Sequence, residues 1–321
     1  MARYIQRRII LMIPVLLGVT LAVFLMLHFL PGDPVMMMLT EHQGGVAPTV
    51  TGNITDEMKD NMRRELGLDR PLPVQYADFV WRAIQGDLGE SFRSQRPVTE
   101  EIMRNLPHTL RLAFAGLGVA VFLGLVLGTI AAIKRDTWID GLSMATAVTG
   151  VSMPSFWLGI MLLLIFALKL RLLPAIGQAA HWKSLILPAV ALGFGASAVI
   201  ARLVRSSLVE VLHQDYVRTA RAKGVANHMV ILRHALKNSL IPVVTVVGLQ
   251  FGNLLGGTVV IETVFARPGV GRMAVLGILE KDFPVVQGTV LFAALAYTLA
   301  NFLVDLSYAW LDPRIRYDTT E

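Results

Sequence analysis

Few side chains in this chain have the type and setting for chemistry, and their placement limits what that chemistry is. Gln250 and Asn253 interrupt an otherwise apolar stretch, Glu262 closes it, and Asn301 and Asp305 fall in a later one. Polar groups of this kind suit contacts to a solute or to one another rather than bond breaking. A second group is a basic run, Asp215-Tyr216-Val217-Arg218-Thr219-Ala220-Arg221-Ala222-Lys223-Gly224. His181, His213, His228 and His234 form no metal-ligand spacing. Ser152 and Ser197 have no intramembrane histidine in helical register, so no nucleophile–base pair is legible. The chain has no cysteine, which removes thiol catalysis, Cys-ligated zinc and iron–sulfur clusters. It also has no Gly-x-x-x-x-Gly-Lys phosphate loop. The expectation is a non-catalytic chain with no metal site.

The elements that carry these residues are membrane spans. Of 321 residues, 54% are hydrophobic and 16% charged, against about 25% charged in soluble domains. A span needs about 20 consecutive apolar residues, and six runs pass or come close: 9–32, 112–133, 141–168, 184–201, 238–261 and 283–304. The first is preceded by Arg3, Arg7 and Arg8, like a signal peptide, but its apolar part is longer than a signal's ~7–15 residues. It runs into Pro31-Gly32-Asp33-Pro34, a helix stop and turn, and reads as a retained span. With the N-terminus inside, the cytoplasmic segments carry 14 Lys/Arg and the short outer loops 6, as the positive-inside rule requires. The expected architecture is all-α and polytopic, with six spans and both termini in the cytoplasm. The net charge of +6 needs no nucleic-acid partner.

Two loops exceed what connection requires. The external loop, 33–111, carries helix signals: a start at Thr55-Asp56-Glu57, an end at Gly67, a break at Pro71 and Pro73, then helical spacing from Val74 to Ile84. It reads as a docking surface or as a small cap packed on the bundle. The cytoplasmic stretch 206–238 is patterned as two helices around Gly224. Val209, Leu212, Val217 and Ala220 line one face, and Val230, Ile231, Leu232, Ala235 and Leu236 supply the other. Such a hairpin presents a rigid knob to a cytoplasmic partner, or lies on anionic lipid through Arg218, Arg221, Lys223 and Arg233.

In the fifth span, Gly248, Gly252, Gly256 and Gly257 recur at near-helical spacing. Small residues let helices approach closely or leave a bore open, and polar groups at membrane depth face protein or water. Gln250, Asn253, Gly256 and Gly257 are therefore candidates for a translocation pathway, with tight packing as the alternative. Glu262 is a gate, a substrate-amine contact or a residue that ends the span. Asp305, Asn301 and Tyr308 share a helix face, as a hydrogen-bonded cluster or a site. Pro154 permits a kink in the third span.

The basic run, followed by Arg233-His234-Ala235-Leu236-Lys237-Asn238-Ser239-Leu240-Ile241-Pro242, resembles the coupling loop of bacterial ABC importer permeases. It has the form found in the dipeptide/oligopeptide/nickel group. The broad family pattern is Glu-Ala-Ala, three residues, then Gly; here Arg218 and Thr219 replace the first two, while Ala220 and Gly224 match. The resemblance extends along the chain: Glu65-Leu66-Gly67-Leu68-Asp69-Arg70-Pro71, Gly86-Asp87-Leu88-Gly89-Glu90-Ser91, Ser152-Met153-Pro154-Ser155-Phe156-Trp157, Pro268-Gly269-Val270-Gly271-Arg272 and Asp312-Pro313-Arg314-Ile315-Arg316 are similar to segments of that group in the same order.

The resemblance implies a type I ABC importer permease fold in the bacterial inner membrane. Its regions would be 1–32, the external loop 33–111, a core 112–311 containing 206–238, and a tail 312–321. It implies a second homologous permease as pore partner and two cytoplasmic ABC ATPases using MgATP, with no cofactor on this chain. An external binding protein would deliver substrate. Asp215, Tyr216, Arg218, Thr219, Ala220, Arg221, Ala222, Lys223 and Gly224 would form the ATPase-coupling loop. Dipeptides or oligopeptides are the group's default cargo; nickel chelates and glutathione-like or opine-like compounds are alternatives. An ion-coupled secondary transporter, the distant rival, calls for an inverted repeat and mid-membrane charges, neither of which is legible.

Overall fold

The computed structural model describes residues 2–29, 56–65, 69–175 and 182–311, and among these it is helical with no strand beyond the isolated bridge Glu90–Pro97. The helices are α1 (Ala2–Phe29), α2 (Asp56–Glu65), α3 (Leu72–Ile84), α4 (Val98–Ile133), α5 (Trp138–Ser152) and α6 (Ser155–Leu162), the last extended by a π-helical turn, Leu163–Lys169. They continue with α7 (Lys183–Leu212), α8 (Asp215–Ala222) and α9 (Asn227–Met229). A π turn, Val230–Ala235, leads into α10 (Leu236–Ser239). The last three are α11 (Ile241–Val264), α12 (Val270–Leu279) and α13 (Phe283–Leu311).

Four described helices are long and apolar enough to cross a membrane: α4, α7, α11 and α13. The pair α5–α6 makes a fifth if counted as one broken span. The apolar part described in α1 is Ile10–Met26, shorter than these. The run 141–168, expected as one kinked span, bends by 104° between Ser152 and Ser155. Pro154 causes the break. It caps α6, where its missing N–H costs nothing, and Met153 before it takes the extended conformation that a following proline favours.

The chain divides into two compact units, which are described separately. The first comprises His108–Gly269 and the chain from Tyr297; the second comprises Ala2–Pro107 and Val270–Ala296. Val270–Ala296 thus groups with the N-terminal part of the chain. In the second unit Val98, Ile102, Val270 and Val285 form one buried cluster. Ser91 Oγ donates to Asp282 Oδ2 at 2.5 Å, and Arg93 pairs with Glu280.

The first unit is centred on α7. Its buried side chains include Leu187, Ala191, Leu192, Ile200, Ala201, Val204 and Leu208. Gly193 shows how closely helices approach here: a Cβ on it would stand 2.2 Å from the carbonyl oxygen of Gly116 on α4. Lipid gives helices no hydrophobic drive to associate, so backbone-to-backbone contact through small residues supplies the packing. α2 and α3 match the external-loop helices read from the sequence; the stop at Gly67 lies outside the described residues. So do Pro31–Pro34, His181 and 312–321, together with the side chains of Asp305 and Tyr308.

Candidate functional site: a basic hairpin and a polar face of α11

The first of the two helices expected around Gly224 is not continuous. α7 continues beyond the apolar run to Leu212 and breaks at His213-Gln214, and α8 then carries the basic motif. α8 ends in a complete Schellman motif. The Gly224 amide donates to the Arg221 carbonyl at 2.9 Å and the Val225 amide to the Ala220 carbonyl at 3.2 Å. Gly224 has φ +80°, the left-handed conformation this motif needs and that a Cβ disfavours. The turn expected at Gly224 is therefore present.

Beneath the turn, Leu208, Val211, Val217, Val230 and Ala235 form a buried cluster with Ala132 at the end of α4, and Val209, Leu212, Ala220 and Leu236 pack against it. Most of both expected faces thus meet in one small core. Leu232 does not: it is 60% exposed. The π turn Val230–Ala235 widens the helix there and shifts the register of its face. A side-chain staple closes the base, with Asn238 Nδ2 donating to Tyr216 Oη at 2.8 Å.

All residues from Arg221 to Met229 are exposed. Arg218 reaches only Asp215, at 4.0 Å and with both groups largely in solvent, a pairing of little energetic weight. Arg218 and Arg221, with Arg135 and His213, line a cleft of about 360 Å³ whose apolar walls are Ala132, Val209 and Leu212. The arrangement is a rigid basic knob beside a basic cleft.

One tie to the hairpin has no sequence signature. Arg205, two turns before α7 ends, forms a bidentate pair with Asp140 at the start of α5: Nε to Oδ1 at 2.7 Å and Nη2 to Oδ2 at 2.6 Å. Asp140 also accepts the Asp136 amide at 3.1 Å. Fork-to-carboxylate geometry fixes orientation as well as distance. It holds the start of α5 against the helix that carries the hairpin.

In α11 the glycines divide by role. A Cβ on Gly252 would meet Asn301 Oδ1 at 3.0 Å, and one on Gly257 would meet Leu192 Cδ1 at 3.0 Å, so both sit at helix contacts. Gly256 has no atom within 4 Å of that position. Gln250 is buried and accepts a hydrogen bond from Asn253 Nδ2 at 3.0 Å. Asn253 and Gly256 are exposed, with Leu249 and Val260, along one helix face.

Glu262 is fully enclosed (0% exposed) and accepts a hydrogen bond from Thr109 Oγ1 at 2.7 Å. A Cβ on Gly269 would overlap its carboxyl carbon at 2.1 Å. Arg267, also buried, donates through Nη1 to the Ser184 carbonyl at 2.9 Å, and its amide donates to the Glu262 carbonyl at 2.8 Å. Burial lowers the Arg267 pKa from its usual value, and the charge of Glu262 opposes that shift. The two buried charges clasp the turn after α11, a role sequence reasoning missed. Ser197 and Ser152 donate to carbonyls of their own helices. Among the described residues no group of three or more His, Cys, Asp or Glu could hold a metal ion.

The fold is that of a helical protein with several apolar helices long enough to cross a membrane. Solved structures agree: an inward-facing form of the MetNI methionine ABC transporter superposes with a TM-score of 0.55 at 18% identity, covering 66% of this chain and 96% of that one. A second crystal form of the same transporter gives 0.53. At this identity the likeness speaks for the fold alone. The family follows from sequence. Residues 124–317 match the family described as the binding-protein-dependent transport system inner membrane component, and residues 1–113 match its N-terminal companion; the chain belongs to this family. It is 45% identical over 318 residues to the glutathione transport system permease protein GsiC of Pectobacterium atrosepticum and to that of Salmonella typhimurium, and 44% identical to that of Escherichia coli K12. In each case the alignment covers 99% of this chain and all of the relative. The chain is thus a non-catalytic, multi-pass inner-membrane subunit of an ABC importer, which works with ATPase and substrate-binding partners.

Proposed function

We propose that this chain forms half of the pore of an importer for short peptides, glutathione among them. A second homologous permease completes the pore, two ATPases bind MgATP below it, and an external binding protein delivers the cargo. The chain crosses the membrane six times with both termini in the cytoplasm. Asp215–Gly224 docks into an ATPase cleft and moves with it as a rigid body; Asp215, Tyr216, Arg218, Thr219, Ala220, Arg221, Ala222 and Lys223 build the knob and Gly224 turns it. The observation that carries this reading is the Schellman turn at Gly224 over its own buried cluster. It supplies the rigidity that transmission of a motion between two states requires.

The exposed face of α11, with Asn253 and Gly256, lines the pathway. Gln250 and Gly257 support it from within, and Glu262 holds the turn at its end. Peptide cargo rests on the relatives' printed function and on full-length alignment with them; dipeptides and longer peptides belong to the same proposal. The test is ATPase activity of the reconstituted complex with its binding protein and a panel of glutathione, dipeptides, longer peptides and nickel chelates. Stimulation by glutathione or another short peptide supports the reading. Hydrolysis that ignores every peptide and responds to a nickel chelate overturns the cargo assignment.

A further inference from the structure

α3 lies in the part of the chain between the first two apolar runs, yet its contacts are with the middle and outer half of α1. The Tyr76 hydroxyl donates to the Leu17 carbonyl at 2.9 Å and meets Thr20 Oγ1 at 2.9 Å. The Phe24 and Tyr76 rings lie 5.5 Å apart, and His28 Nε2 is 3.2 Å from Gln75 Oε1. Thr20 falls near the centre of the run 9–32. At 1.5 Å per residue, Phe24 lies about 7.5 Å short of Phe29, the described end of α1. A helix whose first turns pack beside Phe24 is below the membrane surface, not in the aqueous space above it.

The faces of α3 agree. Phe79 is buried, and Val80 and Ala83 are half-buried, on the helix face that carries the half-buried Tyr76. Gln75, Asp78 and Arg82 form a narrow polar strip, with Asp78 held by Arg70 at 2.7 Å. The remaining face carries Val74, Ala77, Trp81 and Ile84 at intervals of three, four and three residues. It is exposed throughout, with Trp81 at 65% and Ile84 at 73%. On α1, Leu17, Leu21 and Leu25 are likewise exposed. A helix with one narrow polar strip and a tryptophan-bearing apolar face has the pattern of a segment seated in a bilayer interface, where tryptophan rings concentrate.

We propose that α3 is embedded in the outer leaflet, with Val74, Ala77, Trp81 and Ile84 against lipid acyl chains and Asp78 and Arg82 toward the headgroups. Its occupant is lipid because Tyr76 sets the start of this helix beside Thr20 and Phe24, within the apolar run of a membrane span, and leaves the Trp81 face uncovered. The proposal rests on α1 spanning the membrane with its N-terminus inside. It makes α3 a shallow anchor that fixes the height of the loop following it.

The test uses the assembled transporter in lipid nanodiscs. The cysteine-free chain allows single spin labels at positions 77, 81 and 84, at 78 and 82, and at Ile13 and Leu17 on α1 as depth controls. Labels at 77, 81 and 84 should collide several-fold more with oxygen than with a water-soluble nickel chelate, and those at 78 and 82 should show the reverse. In the unsubstituted transporter, a lipid carrying a diazirine on its acyl chain should crosslink to peptides containing residues 72–84. Chelate access at 77, 81 and 84 overturns the proposal. So does loss of access to both reagents, which means that a protein subunit covers the face. Failure of the Ile13 and Leu17 controls to read as deep overturns the span assignment instead.

Discussion

Gly224 offers the sharpest test of the hairpin. Nothing lies within 4 Å of a Cβ built on it, so a side chain there meets no steric opposition within the chain. The whole cost of substitution is then conformational. At φ +80° an L-residue loses about 1–2 kcal/mol, and a β-branched residue loses more. One to two kcal/mol changes the population of the native turn by a factor of about 5–30. Asparagine tolerates the left-handed region best among non-glycine residues. The series Gly224→Asn, Gly224→Ala and Gly224→Val should therefore show progressively weaker coupling. The assay is ATP hydrolysis and peptide uptake by the same proteoliposomes, with membrane insertion confirmed by yield. Uptake per ATP should fall in that order while insertion stays constant. Normal uptake in the valine variant would refute the reasoning. Equal loss in the asparagine and valine variants would refute it too, because it would place the cost in a side-chain clash at an interface rather than in the backbone.

Further expectations follow from the packing. Asp140→Ala leaves Arg205 without its bidentate acceptor, and because that guanidinium is partly exposed the loss should be about 2–3 kcal/mol; a lower unfolding temperature in detergent, partly restored by the exchange Asp140→Arg with Arg205→Asp, would confirm it. Gly193→Ala drives a methyl into the Gly116 carbonyl and should cost about 1–3 kcal/mol of overpacking. Gly256→Ala meets no atom inside a helix and should be neutral or stabilising by up to about 1 kcal/mol; equal unfolding temperatures for these two variants would contradict the described helix contact. Thr109→Val removes a donor to the buried Glu262 carboxylate and should cost about 1.5–3 kcal/mol, whereas Thr109→Ser should recover most of it.

What the sequence determined by itself is what depends on neighbours along the chain. An α-helix closes its hydrogen bonds within four residues, so uncharged apolar runs show where long apolar helices lie, and Pro154 and Gly224 mark where a helix can kink or turn. The two-sided core of the hairpin was legible as a period for the same reason, except at Leu232, where the π turn altered the register. The tertiary structure alone decided which residues meet across large separations. Asp140 and Arg205 are 65 residues apart, Ser184 and Arg267 are 83 apart, and Thr109 and Glu262 are 153 apart. Such pairings depend on which helices cross and at what angle, and helical periodicity carries no information on either. The same holds for the 104° break at Pro154, for the grouping of Val270–Ala296 with the N-terminal part, and for the division of the α11 glycines between packed and open faces. A proline or glycine specifies a permitted conformation; the neighbours that fold against it decide how that freedom is used.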